Sequence, residues 1–502
     1  MDERIRAVRL NAQRADVLGA GGEPLVRMRD VVRLGVDRSL VPDEAEAARS
    51  AGQLAGLLGV DAARFVAEVT SSGPQAFVEA ITYRVDAPEL AAVLPELGAV
   101  TGAVGVDDEL PLAPSSSFAR PILGTAGEAT AEIIEESQGR VRAGDLVGLS
   151  GVQAAYDESL AGLPGFVVEA VDTGTDEARA LHEVPARDGI PVQLTLSVAH
   201  QTAAENVLAA VEPASAVVAI RPSDGHVLAA ASGPGSQGYS TATLGQYAPG
   251  STFKAVSALA LLRAGLTDES EVDCPQTVVV DGRRFKNFDD YPASALGQVS
   301  LRTAIANSCN TALMQERGRL ERSSLSDAAA ALGLAAEPVA GVPVALGSVP
   351  EPDSDVEAAA AMIGQGRVLS TPLGMATVAA SLQRGAAVQP VLVVDNDAKT
   401  SDPGQALSDD EHRQMLDMLR AVVTEGGATF LADVPGDPVA AKTGTAEFGE
   451  PDGAGDLATH AWMIGIQGDL AVAAFVERGA GGSRTAGPVL EDFLTRVVPE
   501  GT

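Results

Sequence analysis

Apolar residues recur along this chain with two different periods, and each change of period marks an element. Val31-Val32-Arg33-Leu34-Gly35-Val36 is short and rich in β-branched residues, which predicts a strand. Residues 42–58 are Ala-rich, with apolar positions at helical spacing, which predicts an amphipathic helix. Leu112-Ala113-Pro114-Ser115-Ser116-Ser117 has neither period and predicts a loop. Residues 215–220 and 226–231 are apolar runs on either side of Pro222-Ser223-Asp224-Gly225. Glycine supplies a positive φ there and Asp caps the turn, so the two runs predict a hairpin. Residues 439–445, 461–466 and 470–476 add three strands separated by short turns. Together they predict a five-stranded antiparallel sheet. The Ala/Leu-rich segments between its halves predict flanking helices, an α+β arrangement.

The character of the chain changes near Pro191. Beyond it, Leu194-Thr195-Leu196-Ser197-Val198 and Gln201-Thr202-Ala203-Ala204-Glu205 lead into the sheet-forming region. Two domains are expected, residues 1–190 and 191–502. The first mixes strands with amphipathic helices, shows no residue with an evident chemical role, and reads as a structural platform.

Composition narrows the function. An apolar content of 46% in 502 residues supports a large core and argues against disorder. The formal charge of −33 argues against nucleic acid and against anionic lipid head groups. No apolar run reaches the roughly 18 residues of a membrane span. Met1-Asp2-Glu3-Arg4-Ile5-Arg6 is not a signal peptide. The five histidines, His182, His200, His226, His412 and His460, show no metal spacing and no serine or cysteine partner in a recognisable elbow. No metal and no cofactor is therefore expected. Trp462 reads as core packing.

Lysine usage points to the chemistry. Only four of the 35 Lys and Arg residues are lysine: Lys254, Lys286, Lys399 and Lys442. A chain that uses arginine for almost every cation, yet keeps lysine at 254 and 442, needs an amine there. A buried ammonium can lose its proton, whereas a guanidinium does not. Lys254 closes Ser251-Thr252-Phe253-Lys254, and Lys442 opens Lys442-Thr443-Gly444-Thr445. Between them lies Ser308-Cys309-Asn310. Taken singly, Ser251 reads as a helix cap with Lys254 in solvent, Ser308-Cys309-Asn310 as a capping turn, and Lys-Thr-Gly as a common tripeptide. Jointly, Ser-x-x-Lys, Ser-x-Asn and Lys-Thr-Gly in this order form the motif set of penicillin-interacting serine enzymes.

On these motifs the chain resembles the class B penicillin-binding proteins, the peptidoglycan D,D-transpeptidases. Gly148-Leu149-Ser150-Gly151-Val152-Gln153-Ala154-Ala155-Tyr156-Asp157-Glu158-Ser159-Leu160-Ala161-Gly162 resembles the end of their pedestal, or dimerisation, domain. Gly364-Gln365-Gly366, Ser370-Thr371-Pro372-Leu373-Gly374-Met375-Ala376 and His460-Ala461-Trp462-Met463 resemble stretches flanking the third motif. Usage rich in Ala, Arg, Val, Gly and Asp suits a high-GC Gram-positive bacterium. The resemblance implies a transpeptidase domain behind an α+β pedestal. It implies Ser251 as nucleophile, Lys254 as its base, and Ser308, Asn310 and Lys442 as further catalytic groups. It implies Thr443, Gly444 and Thr445 as the substrate-binding strand, and the backbone N–H groups of Ser251 and Thr445 as an oxyanion hole. Expected partners are peptidoglycan stem peptides, β-lactams bound covalently, and division or elongation proteins. A cytoplasmic chain and one following an N-terminal anchor outside this sequence both fit its first residues. The resemblance favours the second, at the extracytoplasmic face. Such a location permits a Cys274–Cys309 bond; a disulfide and two buried thiols both fit the sequence. A β-lactam hydrolase or sensor is a competing reading, but no Glu-x-x-x-Asn lies between the second and third motifs. A cell-wall scaffold without catalysis is the other.

Overall fold

The computed structural model describes residues 3–334, 338, 340–394, 405–451, 453 and 456–497. In the N-terminal part these include β1 (Glu3–Leu10), β2 (Pro24–Asp37), α1 (Glu44–Leu58), β3 (Phe77–Arg84), β4 (Ala103–Leu112), β5 (Gly165–Asp172) and β6 (Ala178–Val184). The long strand β2 pairs antiparallel with both β3 and β4, while β1, β5 and β6 form a separate three-stranded sheet. The predicted helix at 42–58 starts at Glu44, because Asp43 is its cap and accepts from the Glu46 N–H at 2.8 Å. The helix stops at Gly59, which takes a left-handed φ of 68°. Val192 and Gln193 pair in parallel with Val17 and Leu18, so the chain touches the first sheet once more after residue 190.

The second part holds β7 (Ser215–Ile220) and β8 (Val227–Ser232), joined by the expected turn. Gly225 has φ 78°, and Asp224 accepts from the His226 N–H at 3.0 Å. Later in the chain come a small hairpin of β9 (Thr277–Val280) and β10 (Arg283–Lys286), and then β11 (Ala440–Phe448), β12 (Ala458–Gln467) and β13 (Leu470–Val476). The sheet runs β8-β7-β13-β12-β11, all antiparallel, which leaves β11 at an edge. Helices α2 (Val198–Leu208), α3 (Lys254–Arg263), α4 (Leu301–Ala306), α5 (Asn310–Glu316), α6 (Pro372–Arg384), α7 (Asp409–Thr424) and α8 (Gly487–Val497) pack around it. One face buries Val217, Ala474 and Met463 with Leu208 of α2 and Leu490 and Phe493 of α8. Fully burying each large side chain there contributes on the order of 1.5–3 kcal/mol. This is the α+β arrangement that the strand pattern predicts.

The other face belongs to a larger core that does not stop at the domain division. Phe118, Ile122, Leu123, Val152 and Leu160 of the N-terminal part share one apolar cluster with Leu194, Leu196, Val218, Ile220, Leu373 and Leu392. Polar contacts cross the same junction. Glu205 of α2 accepts from the Ala119 N–H at 2.7 Å, and the Tyr156 hydroxyl donates to Gly341 O at 2.7 Å. Within the Gly148–Gly162 stretch, Asp157 accepts from Arg14 and from the Gly148 N–H, both at 2.7 Å.

Candidate active site

Ser251 lies in a short 3-10 turn, Gly250–Phe253, that runs directly into α3, which starts at Lys254. Sequence reasoning placed it at the helix start; the structure sets it one tight turn earlier. The turn is held from several sides. Gly250 has φ 53°, its N–H donates to Gly364 O at 3.0 Å, and a Cβ there would sit 2.3 Å from Thr445 O. Thr252 Oγ1 donates to Pro249 O at 2.7 Å. Trp462 is fully buried, as expected of core packing, and its indole N–H also donates to Ala248 O at 3.0 Å. The Ser251 side chain is half-buried and its hydroxyl has no hydrogen-bond partner among the described residues.

Lys254 is wholly buried. Its Nζ donates to Ser308 O at 2.6 Å, to Asn310 Oδ1 at 2.7 Å and to Ser308 Oγ at 3.1 Å. Lys442, on β11 and also wholly buried, donates from Nζ to Ser308 Oγ at 3.0 Å and to Thr443 O at 3.2 Å. The three motifs therefore converge on one hydroxyl. Burial pushes the Lys442 amine down to about 7. Burial, and then the charge of Lys442, hold the Lys254 amine well below the ordinary lysine range. An amine in that state can accept a proton near neutrality.

Ser308 adopts φ 60°, an uncommon conformation for a residue with a Cβ. The turn it belongs to links α4 to α5, with Cys309 as the cap of α5 and its Sγ accepting from the Ala312 N–H at 3.3 Å. The sulfurs of Cys274 and Cys309 lie at bonding distance, 2.03 Å, with Cα atoms 6.3 Å apart. Asn310 uses its amide N–H to donate to Lys286 O at 3.1 Å, and its oxygen goes to Lys254.

Gly444 of β11 lies against the serine turn. A Cβ there would lie 2.8 Å from Thr252 Cγ2, 2.9 Å from Pro249 O and 3.0 Å from the Thr252 N. The space that glycine leaves is filled by the Ser251 turn, so Gly444 lets the serine turn approach β11. Thr443 is half-exposed and Thr445 exposed on this edge strand, and Thr445 Oγ1 accepts from the Gly482 N–H at 3.2 Å. Two residues escaped the sequence reading. Gly364 was noted only as part of a family-like stretch, yet its carbonyl receives the Gly250 N–H. Asn287 carries no signal in the sequence, yet its side chain accepts from the backbone N–H of Asn310. Lys399 lies outside the described residues.

The comparisons with known proteins identify the family. The family described as penicillin binding protein transpeptidase domain matches residues 215–495, more than half of the chain. The family described as penicillin-binding protein dimerisation domain matches residues 9–194. The chain is 34% identical over 272 residues to the peptidoglycan D,D-transpeptidase PbpA of Mycobacterium tuberculosis, covering 51% of this chain and 54% of that protein. It thus spans about half the length of that curated relative. It is 24% identical over 384 residues to penicillin-binding protein 3 of Bacillus subtilis, covering 69% of this chain and 56% of that protein. Among solved structures, the complex between PBP2 and MreC from Helicobacter pylori has a chain alike over 98% of both chains, with a TM-score of 0.74 at 17% identity, which speaks for the fold alone. With its serine turn, twin lysines and dimerisation region in place, the chain belongs to the class B penicillin-binding proteins.

Proposed function

We propose that this protein is a peptidoglycan D,D-transpeptidase that works through a Ser251 acyl-enzyme and is acylated by β-lactams at the same residue. The observation that carries the reading is the convergence of two buried, readily deprotonated amines on Ser308, beside a serine held in a tight turn against an open strand edge. In the first half-reaction Ser251 Oγ bonds to the penultimate D-Ala carbonyl carbon of a donor stem peptide, and its proton passes to Lys254. The charge on the former carbonyl oxygen is met by the backbone N–H groups of Ser251 and Thr445. Contact between Gly250 and the Thr445 carbonyl supports that pairing, because it sets the two segments side by side. The C–N bond then breaks, terminal D-Ala leaves, and its amine takes a proton through Ser308. In the second half-reaction an amine of a neighbouring stem peptide bonds to the ester carbonyl, loses a proton to the site, and releases Ser251. Lys442 with the hydroxyls of Thr443 and Thr445 would hold the donor carboxylate, and edge strand β11 would pair with its backbone.

The substrate places the reaction at the extracytoplasmic face of the cell membrane. No helix among the described residues is long and apolar enough to cross a membrane. Division or elongation proteins are the expected partners. The stretch between Asn310 and Lys442 holds no Glu-x-x-x-Asn, the element that aims a water in β-lactam hydrolases, which favours transfer over hydrolysis. Intact mass after incubation with benzylpenicillin tests the reading. A single stable adduct is expected, absent from a folded Ser251→Ala variant. Rapid turnover of the drug would reassign the protein as a hydrolase, and no reaction at all would favour the scaffold reading.

A further inference from the structure

The Asn287 side chain follows the β9–β10 hairpin and is only 4% exposed. Its Oδ1 accepts from the backbone N–H of Asn310 at 2.7 Å and of Thr311 at 3.2 Å. Its Nδ2 donates to Pro275 O and to Thr311 Oγ1, both at 3.2 Å. Two N–H groups converging on one atom require an oxygen, and the Thr311 hydroxyl, whose own proton goes to Pro275 O at 2.6 Å, requires a donor. A side-chain amide meets both demands at once, whereas a carboxylate has no hydrogen to donate. Asn310 and Thr311 are the first residues of α5, whose opening N–H groups have no partner within the helix. Cys309, the residue in the capping position, serves the Ala312 N–H. The remaining two are thus capped by a residue from another part of the chain.

The capped turn carries the atoms that surround Lys254: Ser308 O, Ser308 Oγ and Asn310 Oδ1. It also contains Ser308 at φ 60°, a conformation that neighbouring structure must hold in place. Lys286 adds to the grip, since its carbonyl accepts from the Asn310 amide. We infer that Asn287 is a positioning residue of the acylation machinery: by capping α5 from outside, it sets the Ser308–Asn310 turn and with it the three acceptors around the Lys254 amine. The inference rests on the Ser251 acyl-enzyme reading above.

The test compares second-order acylation of the parent, Asn287→Ala and Asn287→Asp by a fluorescent penicillin as a function of pH, with folding followed by circular dichroism. Removing the cap in Asn287→Ala is expected to slow acylation on the order of 10–100-fold, the scale of a small misplacement of reacting groups. Lys254 faces the Lys442 amine from β11, and no carboxylate bonds to it among the described residues. With its oxygen acceptors displaced, its ammonium loses support, so the acid limb of the pH profile should move to lower pH. Asn287→Asp keeps an oxygen for both N–H groups but loses the donor to Pro275 and Thr311, and should recover only part of the rate. A purely structural residue would lower the melting temperature without moving the limb. If the parent is acylated at Ser251 while Asn287→Ala reacts within about twofold and with the same limb, the inference fails and the functional reading stands. If the parent is not acylated, both fail. Should Asn287→Ala not fold, Asn287→Gln, which keeps the amide but misplaces it by one methylene, carries the same comparison.

Discussion

Lys254 and Lys442 approach the same atom, with their Nζ atoms 3.1 and 3.0 Å from Ser308 Oγ. Two full charges this close, both out of water, are strongly disfavoured. Burial lowers both amines, and the charge of Lys442 lowers Lys254 further, so the neutral form comes within reach. That gives the scarce lysines their reason: only residues that can give up a proton could occupy both positions.

Replacing Lys442 by arginine should therefore impair the site although charge is kept. The side chain is wholly buried and its neighbours leave a compact ammonium in place. A guanidinium is broader and cannot release its proton. The second-order acylation rate of Lys442→Arg is expected to fall on the order of tenfold or more. A rate within about twofold of the parent, in a folded variant, would show that any cation suffices.

Gly444→Ala should act on the serine turn. The new methyl would press on Thr252 and on the Pro249 carbonyl, and backbone cannot step aside as a flexible side chain can. We expect a stability loss of about 1–3 kcal/mol, the usual scale of overpacking, together with slower acylation. Chemical denaturation and labelling rates measured on the same preparation decide it. A variant that loses neither stability nor rate would mean the turn is free to move.

Stability should rise with pH above neutrality. Lys442 is held near about 7 in the folded protein and Lys254 is lowered too, while an unfolded lysine titrates near about 10.4. Across that window the unfolded chain binds more protons than the folded one, so stability grows with pH and is lost as pH falls toward 7. Urea unfolding at about pH 7 and about pH 9 should show this gain in the parent and a smaller gain in Lys442→Met. Equal gains in both would place the effect elsewhere.

What the sequence made legible was local. The hairpin of β7 and β8 could be read because its turn residues and its apolar runs are adjacent. Helix α1 could be read because its apolar positions recur at helical spacing within one short segment. The three motifs could be assembled because their order along the chain carries information that no single one holds. What stayed hidden depends on partners distant in sequence. Asn287 reaches α5 across a fold that brings a hairpin beside a helix, and nothing in its neighbours announces a cap. Gly444 was visible, but its purpose was not, because Thr252 comes beside it only when β11 meets the serine turn.

The apolar cluster that runs from Phe118, Ile122 and Leu123 to Leu194, Leu196 and Val218 has a practical meaning for dissecting the molecule. A cut near residue 190 would fall between two sequence regions but through the middle of a dry interior. The severed catalytic part would present a greasy socket to water, and the platform a matching plug. The smallest fragment that keeps the sheet and its three motifs folded is expected to carry residues 118–123 as well, since they plug the same interior.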